Sequence, residues 1–326
     1  MKELKYNLQL FAELNTNVTT SPGLSDEMKT YYSDYLIDNA QPELVHDQFA
    51  QKHPIPKNGG KTIEFRKFVP FNKATKALTE GITPDGGTLS VTKLEATVAQ
   101  YGYYVTLSDV LQLTSIDNTL VETTKLLGAQ AGMTLDTITR EVLAGGTNVI
   151  YAGGKEARAA LDESCKLTVD DIYKAARCLK AQNAPKIDGS YVAIIHPDVA
   201  YDLMRNEEWI EAHKYAATTE LFEGEIGKIA GVRFVETTEA KIFADGGKDG
   251  RDVYATLVLG ANAYGVTEIE GGGLRHIVKQ LGSGGTSDPL DQRSTAGWKA
   301  IKVAERLVEN YMTRIESCST FESGSN

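Results

Sequence analysis

Between residues 62 and 68 apolar and polar side chains alternate, with Ile63 and Phe65 on one side and Glu64 and Arg66 on the other. That period of two predicts a strand. Val91 to Leu107 alternates as well: Leu94, Ala96 and Val98 share one face, then Tyr101, Tyr103, Val105 and Leu107 continue in the opposite phase. The flip near residues 99–100 predicts a bulge or bend. The intervening segment 70–87, with Gly81, Pro84, Gly86 and Gly87, reads as a long tip. Loops of that length are uncommon in compact domains and are often functional. A two-stranded ribbon alone is marginal in water. The hairpin is therefore expected to pack on something else, the body in a monomer or a neighbour in an oligomer.

The period changes to three and four over Asp117 to Ala144, where Leu120, Leu127, Ala131, Leu135, Ile138 and Val142 recur. This predicts one long helix, capped by Asp117 and ended by Gly145-Gly146, a rod of ~42 Å at 1.5 Å per residue. Gly128 and Gly132 inside it are costly for a helix and point to close packing there. Residues 1–25 read as an arm with a loop-like composition from Asn15 to Ser25. A first helix is expected from Ser25 or Asp26, with Met28, Tyr32, Tyr35 and Leu36 on its apolar face, and a second helical piece running to about Gln51. Residues 165–270 read as an α/β unit. Its parts are a helix opened by the capping-box pattern Thr168-Val169-Asp170-Asp171, a buried strand Tyr191–Ile195, a helix after His196-Pro197-Asp198, and strands at Val232–Val235 and Val253–Leu259. Leu274 to Leu281 predicts a strand. Gly297 to Ser317 is ambiguous: Ile301, Ala304, Leu307 and Tyr311 fit a helix, whereas Ile301, Val303 and Tyr311 to Ile315 fit strands. Residues 318–326 read as a polar tail.

Composition narrows the function. Hydrophobic residues make up 41% of the 326 residues and charged ones 24%, which excludes disorder for most of the chain. The longest apolar run, Tyr191 to Ile195, falls far short of the ~20 residues of a membrane-spanning helix. At the N-terminus Asn7 and Gln9 interrupt a short apolar stretch, so no export signal is expected. Acidic residues outnumber basic ones 44 to 34, a net charge of −10, which argues against phosphate binding as the main task. Cys165, Cys178 and Cys318 are too few and too scattered for a disulfide framework.

Motifs for chemistry are missing. The histidines (His46, His53, His196, His213 and His276) lie outside metal-motif spacing of one another, and there is no Cys-x-x-Cys. No phosphate-binding glycine loop and no nucleophile elbow occurs. His196-Pro197-Asp198 reads as a turn after a buried strand before it reads as a general base. No cofactor, metal or catalytic residue is assigned, and the residues favour a structural or binding protein over an enzyme.

The order of parts is arm, short helix, long hairpin, long helix, α/β unit and closing strands. Within it stand Leu78-Thr79-Glu80-Gly81 at the hairpin tip, Gly224 to Val235 leading into a strand, Asp288-Pro289-Leu290-Asp291-Gln292-Arg293 followed by Gly297-Trp298-Lys299, and the opening Asn7 to Ala12. This order and these stretches resemble the major capsid proteins of tailed bacteriophages with the Hong Kong 97-type fold, within it the N-four-type phage and prophage family.

The resemblance implies an α+β fold with an N-terminal arm (1–25), short helices (26–58) and an extended hairpin, the E-loop (59–106). A peripheral domain (107–164) would hold the spine helix (117–144), followed by an axial α/β domain (165–270), return strands to the peripheral domain (271–317) and the polar tail (318–326). On that analogy Gly297 to Val308 is expected as strand. The function implied is a virion shell protein, assembled in the bacterial cytoplasm into hexamers and pentamers of itself around double-stranded DNA held weakly and non-specifically. Separate scaffold, portal and decoration proteins would be partners. Residues expected at subunit contacts are Lys61, Ile63, Glu64, Phe65, Arg66, Lys73, Lys76, Leu78, Glu80, Leu94 and Val98, with Asp288, Pro289, Asp291, Arg293 and Trp298 as a peripheral-domain motif. Two other readings remain open at this point: an encapsulin-like compartment shell, and a hydrolase built on the α/β unit.

Overall fold

A computed structural model describes residues 16–17, 44–56, 60–68, 71, 73–75, 77, 80–81, 86–115, 119–215, 225–268, 273–285, 288–324 and 326. In chain order, β1 (Thr16–Asn17), α1 (Val45–Gln48) and β2 (Gln51–Lys52) precede the ribbon strands β3 (Thr62–Phe68) and β4 (Val91–Thr97). β5 (Ala99–Ser108), α2 (Asp109–Thr114) and the long α3 (Thr119–Ala144) follow. Next come β6 (Val149–Tyr151), α4 (Val169–Ala181), β7 (Tyr191–Ile195), α5 (Pro197–Met204) and α6 (Glu207–Tyr215). β8 (Glu225–Ile229), β9 (Val232–Glu236), β10 (Ile242–Phe243), β11 (Val253–Leu259) and β12 (Tyr264–Glu268) lead to β13 (Arg275–Lys279), β14 (Arg293–Arg306) and β15 (Met312–Ser317). The chain forms two compact units, one of residues 1–43, 100–135 and 272–301, the other of residues 44–99, 136–271 and 302–326.

The second unit is built on a sheet ordered β6-β15-β11-β7-β9-β8, with β10 on β11. It draws in β6 and β15 from outside the 165–270 span expected from the sequence. Both faces are buried, which is why β7 reads as an unbroken apolar run. Ala193, Ile195 and Val258 pack with Ile172, Leu179, Val199 and Leu203 on one side. Ile194, Leu257 and Leu259 pack with Leu143, Tyr264 and Met312 on the other. The capping box is present on α4: Thr168 Oγ1 accepts from the Asp171 amide, and the Asp171 carboxylate accepts from the Thr168 amide, each at 3.3 Å. β8 and β9 form a hairpin whose turn holds Ala230 and Gly231 at positive φ, the conformation a tight two-residue turn requires.

Buried ion pairs tie this unit together. Glu316, fully buried in β15, accepts from Arg158 Nε and Nη2 at 2.7 Å and from Arg314 Nε at 2.8 Å. Arg314 in turn donates to the carbonyls of Ala144 and Gly146, satisfying the C-terminal end of α3. At α1, His46 Nδ1 lies 2.6 Å from Asp136, and Asp47 accepts from Thr139 at 2.6 Å and from Lys302 at 2.5 Å.

In the first unit β14 pairs antiparallel with β13 through residues 295–299 and lies next to β5, whose end pairs in parallel with β1. Gly102 and Gly297 permit the close approach of β5 to β14. A Cβ at Gly102 would sit 2.7 Å from the Trp298 carbonyl oxygen, and one at Gly297 would sit 2.9 Å from that of Tyr103. Ala296, Trp298 and Ala300 bury one face of β14, where Trp298 Nε1 donates to Gln130 of α3 at 3.2 Å and Gln112 of α2 donates to Ser294 at 3.0 Å.

Several expectations are corrected. The helical piece running to Gln51 is a single turn, α1, and the chain is already in β2 at Gln51. Residues 297–306 are strand, as the resemblance led one to expect, and the alternative helical period is not followed. A Cβ on Gly128 would meet nothing within 4 Å, so among the described residues no close packing explains that glycine. The polar tail is tied down along the second unit. The first helix over Met28 to Leu36, the Asp117 cap and the arm apart from Thr16 and Asn17 lie outside the described residues.

Candidate assembly surface

The ribbon sets its own register: Thr62 faces Thr97, Phe65 faces Leu94 and Phe68 faces Val91. Residues directly opposite share a face, so Ile63, Phe65, Leu94 and Ala96 form an apolar side and Glu64, Arg66, Lys93 and Glu95 a charged one. On the charged side Glu64 accepts from Arg66 Nε at 2.7 Å and lies 3.2 Å from Lys93 Nζ. The hydrogen bond from Arg66, then that from Lys93, holds the Glu64 carboxyl below its ordinary value. At the base the Val98 amide donates to the Lys61 carbonyl at 2.9 Å, and β5 leaves the ribbon there. This is the phase flip read in the sequence.

Cover differs between the ribbon's base and its tip. At the base Ala96 and Val98 are buried within the chain's own fold. Phe65 stands edge-on to His53 with centroids 5.7 Å apart, and its ring lies against Gly265. On the charged side Val91 is exposed, and beyond the strands toward the tip Phe71 is 66% exposed and Leu89 62%. Lys61, Arg66, Lys73 and Glu80 are exposed, while Ile63, Glu64 and Leu94 are half-buried. Lys76 and Leu78 lie outside the described residues. Phe71 and Leu89 were not picked out from the sequence, because they stand outside both alternating stretches.

In the first unit the Asp288 to Arg293 motif builds a turn. The buried Asp288 carboxylate accepts from the Arg293 amide at 2.8 Å and lies 3.7 Å from Arg293 Nε. Asp291 takes a positive φ of 51° and donates its amide to the Asp288 carbonyl, and the Gln292 carbonyl accepts from Asp109 of α2. Pro289 and Asp291 are exposed, and Trp298 is buried. The motif thus anchors the start of β14 beside α2. The other face of this sheet is open, with a groove of about 810 Å³ lined by Tyr104, Ile277, Lys279, Arg293 and Lys299 among others. All of β13 is exposed, including Ile277 and Val278, and Leu290 nearby is 75% exposed.

His196 has a structural role. Its Nδ1 accepts the Asp198 amide at 3.2 Å, capping α5, and burial pushes its pKa down against the pull of Asp198. A ring nitrogen already used as a helix cap is not a free general base. Among the described residues no group of three His, Cys, Asp or Glu is placed to hold a metal ion.

Residues 106–280, more than half of the chain, match the family model described as phage capsid protein. The chain belongs to the phage capsid protein family. Nothing matches it among curated proteins. Solved phage heads share its fold at low identity. The capsid of Ralstonia phage GP4 is 16% identical with a TM-score of 0.70, over 95% of this chain and all of that one. The capsid of cyanophage P-SCSP1u is 16% identical with a TM-score of 0.68, over 92% and 96%. The head of Helicobacter pylori bacteriophage KHP40 is 13% identical with a TM-score of 0.60, over 97% and 100%. This phage capsid protein is a structural, non-enzymatic protein of the virion that assembles with copies of itself into the shell. That answers the hydrolase reading, and the Hong Kong 97-type α+β architecture expected from the sequence is the one present.

Proposed function

We propose that each capsid subunit lends its 62–97 hairpin to a neighbouring copy, and that the open sheet face of the neighbour's first unit receives it. The carrying observation is the contrast between the ribbon's base, where Phe65, Ala96 and Val98 meet the chain's own fold, and its tip, where Phe71 and Leu89 are bare. The two strands pair with each other in a sheet of their own among the described residues. A marginal ribbon gains stability when its apolar positions are covered. The receiving groove supplies Tyr104 and Ile277 for those positions, and Lys279 and Lys299 for an acidic group such as Glu80. Charges at such a rim set register more than affinity. Head-to-tail contacts of this kind close into rings of six and five and then into a sphere.

In the same reading the second unit's α/β sheet gathers at the ring centres, and α3 with β13 and β14 forms the periphery. The shell assembles in the host cytoplasm with separate scaffold, portal and decoration proteins. The net charge of −10 keeps packaged double-stranded DNA from adhering strongly to the wall. Deleting residues 70–87 and examining the product by light scattering and negative-stain microscopy, with the neighbouring phage proteins supplied, tests the exchange. Folded, soluble subunits without shells are expected. Normal shells would overturn it.

A further inference from the structure

The chain after β15 carries an unusually dense set of polar contacts for a segment that reads as a tail. Ser319 Oγ donates to Asp202 at 2.8 Å, and the Thr320 amide and hydroxyl donate to the same carboxylate at 2.8 and 2.5 Å. The Tyr254 hydroxyl donates to the Phe321 carbonyl at 3.2 Å, and the Phe321 ring stands edge-on to Tyr201. Ser323 Oγ donates to Asp198 at 2.5 Å, and its amide donates to the Tyr254 hydroxyl at 3.1 Å. The Gly324 amide donates to Asp252 at 2.8 Å. Three aspartates on α5 and just before β11 thus act as acceptors along residues 319–324. An ionised carboxylate accepts at both oxygens; protonation turns one into a donor, and at Asp202, where both oxygens already receive donors from the strap, that donor meets a donating group.

We propose that residues 319–324 are a strap held by Asp198, Asp202 and Asp252, whose clasp at the Asp202 carboxylate opens in acid while the sheet beneath it stays folded. This goes beyond the assembly reading and does not depend on it.

The surroundings of Asp202 fix the direction. Lys166 lies 3.4 Å from Asp202 and also donates to Thr320 at 2.5 Å. Burial raises the Asp202 pKa, but the hydrogen bonds from Thr320 and Ser319 and the charge of Lys166 more than reverse this and leave it below its ordinary value. A carboxyl lowered in the folded state stabilises it above the ordinary value of about 3.9 and loses that contribution as pH falls through the lowered one. Asp198 faces the Tyr254 hydroxyl at 2.9 Å and His196 at 3.4 Å. The buried His196, held below its ordinary pKa, resists the proton that the unfolded chain takes up, so a fall in pH below the ordinary histidine value weakens α5 as well. Asp252 receives the amides of Asp245 and Gly324. Beside the strap Arg251 pairs with Glu322 at 2.7 Å and Glu163 at 2.8 Å. Arg140, between Glu141 and Glu239, donates to the Asn326 carbonyl at 3.2 Å.

The test is hydrogen exchange of the subunit at pH 7, 5 and 3, corrected for intrinsic rates. The Thr320 and Gly324 amides report the strap, and the β11 amides report the sheet. Strap protection is expected to fall roughly tenfold or more between pH 5 and 3, the scale of a hydrogen bond to a charged group, with β11 unchanged. Asp202→Asn is expected to lower Thr320 protection at pH 5 by a similar factor, and Thr320→Val, which leaves α5 intact, to act in the same direction on Gly324. Strap protection retained at pH 3, loss only together with β11, or wild-type exchange in both variants would overturn the proposal.

Discussion

The seven-stranded sheet and the β3–β4 ribbon are both made of alternating or apolar strands, yet they end differently. In the sheet every residue of β7 and β11 is buried, and each face has its own cluster. In the ribbon burial is partial: on the apolar side Ala96 is covered and Leu94 half-covered, while the opposite side of the same strand, with Val91, is bare. The sheet is completed by its own chain and the ribbon is not. On the proposed exchange, that difference separates what folds before assembly from what waits for it.

Changes at the two regions should therefore differ in kind. The largest effect is expected from removing residues 70–87, which should abolish shells with little change in the subunit's melting temperature. Calorimetry alongside microscopy checks both halves of that statement. Glu316→Ala should cost ~3–5 kcal/mol in urea unfolding, because it strands Arg158 and Arg314 around a buried site. Ile194→Ala should cost ~2–5 kcal/mol in the same measurement, since both faces around it are filled. Thr168→Ala removes a cap and should cost ~1 kcal/mol. The smallest effect on the subunit belongs to Phe71→Ser with Leu89→Ser. Exposed positions change stability by about 0.5 kcal/mol or less, so urea curves should overlay while shell yield falls.

What the sequence made legible follows the same division. The ribbon, its phase flip, the long helix and the α4 cap are local patterns, and they were readable. β14 was harder for a physical reason. Ala296, Ala300 and Ala304 recur every four residues, a spacing that suits one face of a helix and also one face of a strand. Between them on the same face stands Lys302, buried and paired with Asp47, where an apolar residue would have revealed the alternation. The strap was missed because its partners, Asp198, Asp202, Asp252 and Tyr254, are distant in sequence, and a Ser- and Gly-rich segment carries no period. The family resemblance pointed to the right fold. The exposed tip residues Phe71 and Leu89, by contrast, became visible only once the ribbon's register showed where cover ends.

The most direct measurement is hydrogen exchange of the β3 and β4 amides in isolated subunits and in assembled shells, with β7 and β11 as internal reference. Hairpin exchange between subunits predicts ribbon amides that exchange readily in the subunit and become strongly protected in the shell, with the reference strands equally protected in both. Ribbon amides protected to the same degree in both states would contradict it.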